Sequence, residues 1–341
     1  MRELILVTGG TGYIGSHTAV ELIEAGFDVV IVDNLSNSNA DVINGIEKIC
    51  GRQLPLEICD CSDYDAMKAI FSKYEKISAV IHFAASKAVG ESVQKPLLYY
   101  WNNLGSLITM LRLMTEFQCK GFVFSSSCTV YGQPDILPVD ENASVKPAMS
   151  PYGNTKQVGE EIIRDAAFAG LPFKSILLRY FNPIGAHPSA EIGELPLGVP
   201  QNLVPFVTQT AAGIRQKISV FGNDYNTPDG SCIRDYIDIV DLAKAHVIAM
   251  KRLLDGKAEK ELEIFNLGTG KGLSVLEILK TFENISGVKL NYEIVGRREG
   301  DIEQIWANPD YANNVLGWKS EKSAEETLLS AWKWQQKLLK K

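Results

Sequence analysis

The sequence predicts an α/β protein: a doubly wound parallel sheet of Rossmann type with a smaller C-terminal substrate lobe. Three observations carry that expectation. Short β-rich runs alternate with stretches of helical periodicity through the first half, as in successive βαβ units. Several runs, such as Leu4-Ile5-Leu6-Val7 and Val29-Val30-Ile31-Val32, are apolar throughout, as strands covered by helices on both faces must be. A glycine-rich turn joins the first run to the first helical stretch, where such sheets take their ligands.

In order along the chain, strands are expected at 4–8, 29–33, 56–59, 79–83, 122–125 and 174–178. Helices are expected between them at 16–24, 63–73, 102–117 and 152–169. From about Asn182 the texture changes, because Pro183, Pro188, Pro196, Pro200 and Pro205 break up regular structure. A helix near 205–214 and a short strand at 218–221 follow, then helical periodicity over 233–254 and one more sheet strand at 264–267.

With 341 residues the chain exceeds the size at which a single core usually keeps growing, so two lobes are expected. Its 45% hydrophobic and 22% charged residues are ordinary for a globular protein. A net charge of -7 argues against nucleic acid or an anionic membrane as partner. The basic ending (Lys333, Lys337, Lys340, Lys341) is too short to reverse this and reads as the solvated face of a last helix. The six cysteines form no CxxC pair and no zinc-like spacing, so no metal is expected. A bridge between Cys59 and Cys61 would be strained, and reduced thiols fit a cytoplasmic protein. No signal peptide precedes the first strand and no apolar run reaches membrane-spanning length.

Gly9, Gly12 and Gly15 follow the first strand and, with Tyr13 and Ile14, open the first helix. This spacing permits a tight turn, close approach of a pyrophosphate to backbone amides, and close helix packing. Asp33 ends the next strand, 18 positions after Gly15, where a carboxylate binds adenosine ribose hydroxyls and repels a 2′-phosphate. Asn34, Leu35, Ser36, Asn37 and Ser38 follow with no arginine close behind, so NAD is favoured over NADP. The alternative for Asp33 is a simple strand cap. Asp60, beside Cys61 after the third strand, either contacts the adenine or caps the helix starting near Asp63. Phe83, Ala84 and Ala85 close the fourth strand at the mouth of the same crevice. Residues 1–181 are accordingly expected to form the NAD-binding domain, with later sheet elements from about 233–270, and 182–341 mainly the substrate lobe.

Tyr152 and Lys156 are four apart on an expected helix, so they share a face. An ammonium close to a phenol favours the phenolate and lowers a pKa that starts near ~10. Ser127, in Ser125-Ser126-Ser127, stands at the end of the fifth strand on the lip of the crevice. Singly, Ser127 could satisfy backbone groups, Lys156 could be solvated and Tyr152 half-buried packing. Together beside a dinucleotide site they point to proton and hydride transfer.

That Ser-Tyr-Lys set resembles the extended short-chain dehydrogenase/reductases, and longer strings narrow the resemblance to the UDP-glucose 4-epimerases. They are TGGTGYIGSHT at 8–18, DNLSNS at 33–38, KAVGESVQKP at 87–96, FSSSCTVYG at 124–132, SPYGNTK at 150–156, RYFNPIGAHPS at 179–189, RDYIDIVDLA at 234–243 and RREGD at 297–301. The resemblance implies interconversion of UDP-galactose and UDP-glucose through a transient 4-keto sugar. Tyr152 would be the base, Lys156 would lower its pKa and bind the nicotinamide ribose, and Ser127 would hydrogen-bond the 4-oxygen. It further implies NAD contacts at Lys87, Asn102 and Phe181, with Lys87 also facing substrate. Substrate contacts are implied at Asn182, Asn202, Leu203, Ser219, Val220, Phe221 and Asp301, and a diphosphate clamp at Arg234 and Arg298. Surface ion pairs are the alternative for the arginines, Arg234 with Asp235 or Asp238 and Arg298 with Glu299 or Asp301.

Two positions depart from the family pattern. Cys128 stands where many relatives carry alanine and is either packing or a source of oxidation sensitivity. Ile305 falls at the residue gating the sugar's 2-substituent, intermediate between an aromatic that excludes an N-acetyl group and a small residue that admits it. Plain UDP-hexoses are favoured, with a broader UDP-N-acetylhexosamine epimerase as alternative. Dehydratases on this scaffold carry Asp-Glu where Cys128-Thr129 stand here, which disfavours that chemistry. A non-catalytic NAD sensor would have no use for Tyr152, Lys156 or the arginines. A homodimer through the helices near 100–117 and 152–169 is implied as well.

Overall fold

The computed structural model describes residues 2–74, 76–298 and 300–340. Glu299, one of the alternative partners of Arg298, and Lys341 of the basic ending lie outside the described residues, as do Met1 and Glu75. The first half runs β1 (Leu4–Thr8), α1 (Tyr13–Glu24), β2 (Asp28–Asp33), α2 (Val42–Cys50), β3 (Leu56–Ile58), α3 (Tyr64–Lys73) and β4 (Ile77–His82). Then come α4 (Val89–Gln94), α5 (Pro96–Glu116), β5 (Gly121–Ser125), a 3₁₀ turn at Cys128–Tyr131, α6 (Pro151–Phe168) and β6 (Lys174–Tyr180). The remainder holds β7 (Asn182–Ile184), α7 (Leu203–Ala211), β8 (Ile218–Phe221), β9 (Ile233–Arg234), β10 (Tyr236–Asp238), α8 (Ile239–Leu254) and β11 (Leu262–Leu267). It ends with β12 (Leu273–Ser274), α9 (Val275–Ser286), β13 (Tyr292–Val295), β14 (Gln304–Ile305), a π turn at Ala312–Leu316 and α10 (Ala324–Leu338).

Seven strands form one parallel sheet in the order β11-β6-β5-β4-β1-β2-β3. Apolar residues on both faces of the strands dictate two helical layers. Ile5, Val7, Ile31, Ile81 and Val123 face one way, onto Ala19 of α1 and Ala245 and Ala249 of α8. Their neighbours Leu6, Val30, Val80, Phe122 and Phe124 face Met67 of α3, Met110 of α5 and Ile163 of α6. Each such fully buried large side chain contributes about 1.5–3 kcal/mol. The chain leaves β1 towards β2 and β3, then returns to its other side at β4, so order reverses between β1 and β4. Such a reversal opens a crevice beyond the carboxyl ends of the strands.

A second group of elements packs around Phe282 of α9 and Trp332 of α10, with Val204 and Val207 of α7 and Ile218 and Val220 of β8. β8 pairs in parallel with β13, and Ser323 and Glu326 close a capping box on α10. Lys333 and Lys337 do lie on this last helix.

The helical reading of 233–254 holds only from Ile239. Ile233–Arg234 is a strand paired with β12 and β14, and Tyr236–Asp238 pairs with β7. Helix begins there because the Asp238 carboxylate accepts from the N–H groups of Val240 (2.8 Å) and Asp241 (3.2 Å). α2, α4 and α9 were not anticipated. Among the described residues no helix is long and apolar enough to cross a membrane, and Cys59 and Cys61 are free thiols.

Candidate active site

The cradle at the end of β1 is built from backbone. Gly9 has φ +68, and a Cβ there would stand 2.8 Å from the Ala84 nitrogen at the end of β4. A Cβ on Gly15 would stand 2.3 Å from the Gly9 carbonyl oxygen, so only glycine lets α1 start so close to the turn. A Cβ on Gly12 would meet only that same carbonyl, at 3.1 Å, leaving the space above the helix start open. No side chain caps α1, so its first amides remain directed into that space. Tyr13 and Ile14 are partly buried, and the Tyr13 hydroxyl donates to the Gly185 carbonyl (2.7 Å).

Asp33 is buried at the end of β2 and organises the next loop, accepting from the N–H of Thr11 (3.2 Å) and Leu35 (2.9 Å) and from the Ser38 hydroxyl (3.0 Å). Leu35 takes φ +58 inside that loop, and the Asn34 side chain accepts from the Ser36 N–H. Ser36 and Asn37 are exposed beside them. The cap reading of Asp60 fails. Asp63 itself caps α3, accepting from the Ala66 N–H (3.0 Å), while Asp60 is exposed and binds Ser62. Cys61 is buried with its thiol pushed well up by burial, so it offers the crevice only backbone. An open, amide-lined turn with a buried carboxylate at the end of the next strand fits a dinucleotide without a 2′-phosphate.

Phe83 packs on His246 with rings 4.8 Å apart, and Ala84 and Ala85 continue along the crevice. Asn102 donates to the Ser86 hydroxyl (3.0 Å). Asn103, which the sequence did not single out, holds this loop more firmly. It accepts from the Ser86 N–H (2.7 Å) and donates to the Ser86 carbonyl and the Thr155 hydroxyl (both 3.0 Å), linking β4, α5 and α6.

Tyr152 and Lys156 lie on α6, whose start is capped by Ser150. The Lys156 ammonium is buried, donates to the Ser125 carbonyl at 2.7 Å and sits 5.9 Å from the Tyr152 ring centroid. Burial pushes its pKa down to about 8, against the pull of Glu160. The expected lowering of the Tyr152 pKa is not what this environment does. Burial, then Tyr180 and Cys128, push the phenol well above its ordinary value, and the Ser127 hydroxyl beside it is the group that lowers it. The lysine's hydrogen bond goes to the strand-end carbonyl of Ser125. The Ser127 oxygen accepts from the Thr129 N–H (3.2 Å), capping the 3₁₀ turn as its backbone-satisfying reading expects, and its own hydroxyl remains beside Tyr152. Cys128 is buried with its thiol pushed up to about 12, which makes it packing rather than a reactive group.

Phe181, Cys128 and Ile305 share one small apolar cluster with Val130, Tyr131 and Val139. Ile305 pairs across the strand with Arg234. Arg234 pairs with neither Asp235 nor Asp238. Asp235 is held by Thr269 and Ala307, and Asp238 by Lys322 and Thr327. Arg234 instead approaches Asp301 (3.7 Å), which also accepts from Arg298 in a fork at 3.1 and 2.7 Å. The two arginines therefore converge on one carboxylate, and Arg298 lies over the Phe221 ring at 5.4 Å. Of the Ser219–Phe221 stretch, Val220 turns its side chain into the α9–α10 core, so only its backbone can face a ligand. Asn182 stands on β7, and Leu203 begins α7. Asn202 donates to Glu194 (2.6 Å), whose carboxylate also approaches Lys87 (3.7 Å). Glu194 was not foreseen, lying in a proline-broken loop with no motif around it.

The chain matches the family model described as GDP-mannose 4,6 dehydratase over residues 6–330. It is 48% identical to a UDP-glucose 4-epimerase of Yersinia enterocolitica over 331 residues, 97% of either chain. It is 50% identical to the bifunctional protein GAL10 of Pachysolen tannophilus, of which it spans 48% of the length while 97% of this chain is covered. Among solved structures it resembles a UDP-glucose 4-epimerase from Stenotrophomonas maltophila, crystallised with NAD and formylated UDP-arabinopyranose, with TM-score 0.96, 45% identity and 99% of each chain covered.

Proposed function

The chain belongs to the UDP-glucose 4-epimerase family, and from that premise we propose that it interconverts UDP-galactose and UDP-glucose at C4 through a transient 4-keto sugar, with NAD as bound cofactor. One observation supports the reading above others: Tyr152, Ser127 and Lys156 meet at the strand ends beside the amide cradle, with two guanidiniums across the crevice.

Gly9, Gly12, Gly15 and the start of α1 would hold the pyrophosphate, Asp33 the adenosine ribose, and Lys156 the nicotinamide ribose. Bound there, NAD supplies reversible hydride transfer at C4 and a positive ring near the phenol. Tyr152 would take the 4-hydroxyl proton and return it to the 4-oxygen after the planar keto sugar has presented its other face, with Ser127 hydrogen-bonding that oxygen. Because burial holds the phenol up, Tyr152 ionises only where nearby positive charge outweighs desolvation. Arg234 and Arg298 exchange Asp301 for the diphosphate, which frees Asp301 for ribose hydroxyls. Asn182, Asn202, Leu203, Ser219 and Phe221 line the same wall.

Dehydration lacks its acid pair, since Cys128 and Thr129 occupy those places. Ile305 is 2% exposed and packed into the wall, so no aromatic plug narrows the sugar end, which supports testing UDP-N-acetylgalactosamine as a second substrate. Leu97, Trp101 and Ile108 form an exposed apolar stripe on α5, and Phe168 is exposed at the end of α6. This supports a homodimer through those helices. Trp101→Glu should halve the mass seen by light scattering.

The deciding assay offers UDP-galactose to the purified protein and couples UDP-glucose to its dehydrogenase. Tyr152→Phe should lower kcat by about 10²–10⁴-fold. No interconversion by the unaltered protein, or a phenylalanine variant that keeps most of its rate, contradicts the proposal.

A further inference from the structure

Behind the catalytic strand end lies a buried charge network that the mechanism above does not use. Glu160 follows Lys156 by one turn of α6 and is 3% exposed. It accepts the Ser126 hydroxyl at 2.5 Å. Arg179 of β6, 2% exposed, forks onto it with Nε at 2.9 Å and Nη2 at 2.5 Å. The other end of that guanidinium donates to the Tyr131 hydroxyl (2.9 Å), which donates to Asn266 (2.6 Å) on β11. Ser126 thus has one neighbour whose carbonyl holds the Lys156 ammonium and another, Ser127, beside the Tyr152 phenol.

We propose that the Glu160–Arg179 pair is a positioning element of the reaction: it ties the serines at the end of β5 to α6 and keeps the charge behind Tyr152 and Lys156 balanced. The proposal rests on Tyr152 being the base. Both ions sit where an unpaired charge is weakly screened, so losing either should be felt by its neighbours. The groups facing Tyr152 and Lys156 leave these two as the dominant fixed charges. From α6 there is only Glu160. From β4 there is His82, held neutral with a pKa of about 3 by burial and by Lys156. From β6 there is Tyr180, from α5 Tyr99, and from the 3₁₀ turn Cys128, all with ionisation pushed up by burial. Glu141, near the far end of Arg179, is likewise pushed towards neutrality by burial.

The two single substitutions must therefore move the reaction's pH dependence in opposite directions. Glu160→Gln keeps an acceptor for Ser126 but leaves Arg179 uncompensated. The added positive field favours the phenolate and shifts the acidic limb of kcat downward by about one pH unit. Arg179→Met leaves the carboxylate uncompensated and shifts that limb upward by a similar amount. The double variant should return to the original limb, with a lower kcat if alignment of the serines has suffered. Bound NAD, measured by absorbance after denaturation, should stay near stoichiometric in each.

A purely structural pair would lower kcat or stability in all three variants and leave the limb in place, which overturns the proposal. If Arg179→Met does not fold, the downward shift in Glu160→Gln and its reversal in the double variant still decide. An active Tyr152→Phe sinks the underlying reading as well. An inactive Tyr152→Phe with unmoved limbs in the charge variants overturns this inference alone.

Discussion

On the side of the crevice proposed for the cofactor the donors are backbone amides of one strand–turn–helix, packed so closely that a Cβ on Gly15 would stand 2.3 Å from a carbonyl. On the side proposed for the nucleotide sugar they are guanidiniums from two distant segments, Arg234 and Arg298, which converge on Asp301. The amides of that turn need no charged side chain and no rearrangement. The second side satisfies its charges internally and, in the proposed function, exchanges those contacts for ligand. One wall fails by collision, the other by loss of charge.

The largest break should come from Gly15→Ala, which pushes α1 off the turn. It is expected to cost about 1–3 kcal/mol of stability and to empty the protein of NAD, seen by thermal unfolding and by released cofactor. Gly12→Ala sharpens the point. Its Cβ meets only the Gly9 carbonyl at 3.1 Å, so unfolding should change little while NAD content falls. Equal destabilisation by both variants would mean that the open space above Gly12 is not where the cofactor approaches.

Arg298→Ala should act on the other wall alone. Losing a charge-assisted contact worth about 1.5–3 kcal/mol raises KM for UDP-galactose by about 10- to 100-fold, with kcat and NAD content nearly unchanged. Smaller still is Asp33→Asn. It keeps the loop's hydrogen-bonding skeleton in part but removes the carboxylate, and should weaken NAD by about 10-fold or less while narrowing its advantage over NADP. A kcat-only loss for Arg298→Ala, or an unchanged NAD preference for Asp33→Asn, would misplace the two walls.

The same contrast governs what was legible in the sequence. The amide cradle is local, so Gly9, Gly12, Gly15 and Asp33 announce themselves by spacing, and the apolar strands fix the doubly wound sheet. Tyr152 and Lys156 were legible as a pair but not in their electrostatics. The Ser125 carbonyl, which takes the ammonium, comes from a strand 31 positions away. Glu194 joins Lys87 to Asn202, and Glu160 meets Arg179, through contacts that no local pattern encodes. Residues 233–238 read as helix because their apolar spacing runs on into α8. Pairing with β7, β12 and β14 overrides that periodicity, and only the Asp238 cap marks the boundary. Val220 shows the converse: a position matched to ligand binding whose side chain belongs to the core.

The central claim is that C4 is inverted by removal and return of the same hydrogen while Tyr152 handles only the hydroxyl proton. UDP-galactose carrying deuterium at C4 tests it directly in ordinary water. UDP-glucose should form with the deuterium still at C4, at a rate that collapses in Tyr152→Phe. Product carrying solvent hydrogen at C4 would contradict the account, because it would mean that C4 itself is deprotonated and reprotonated.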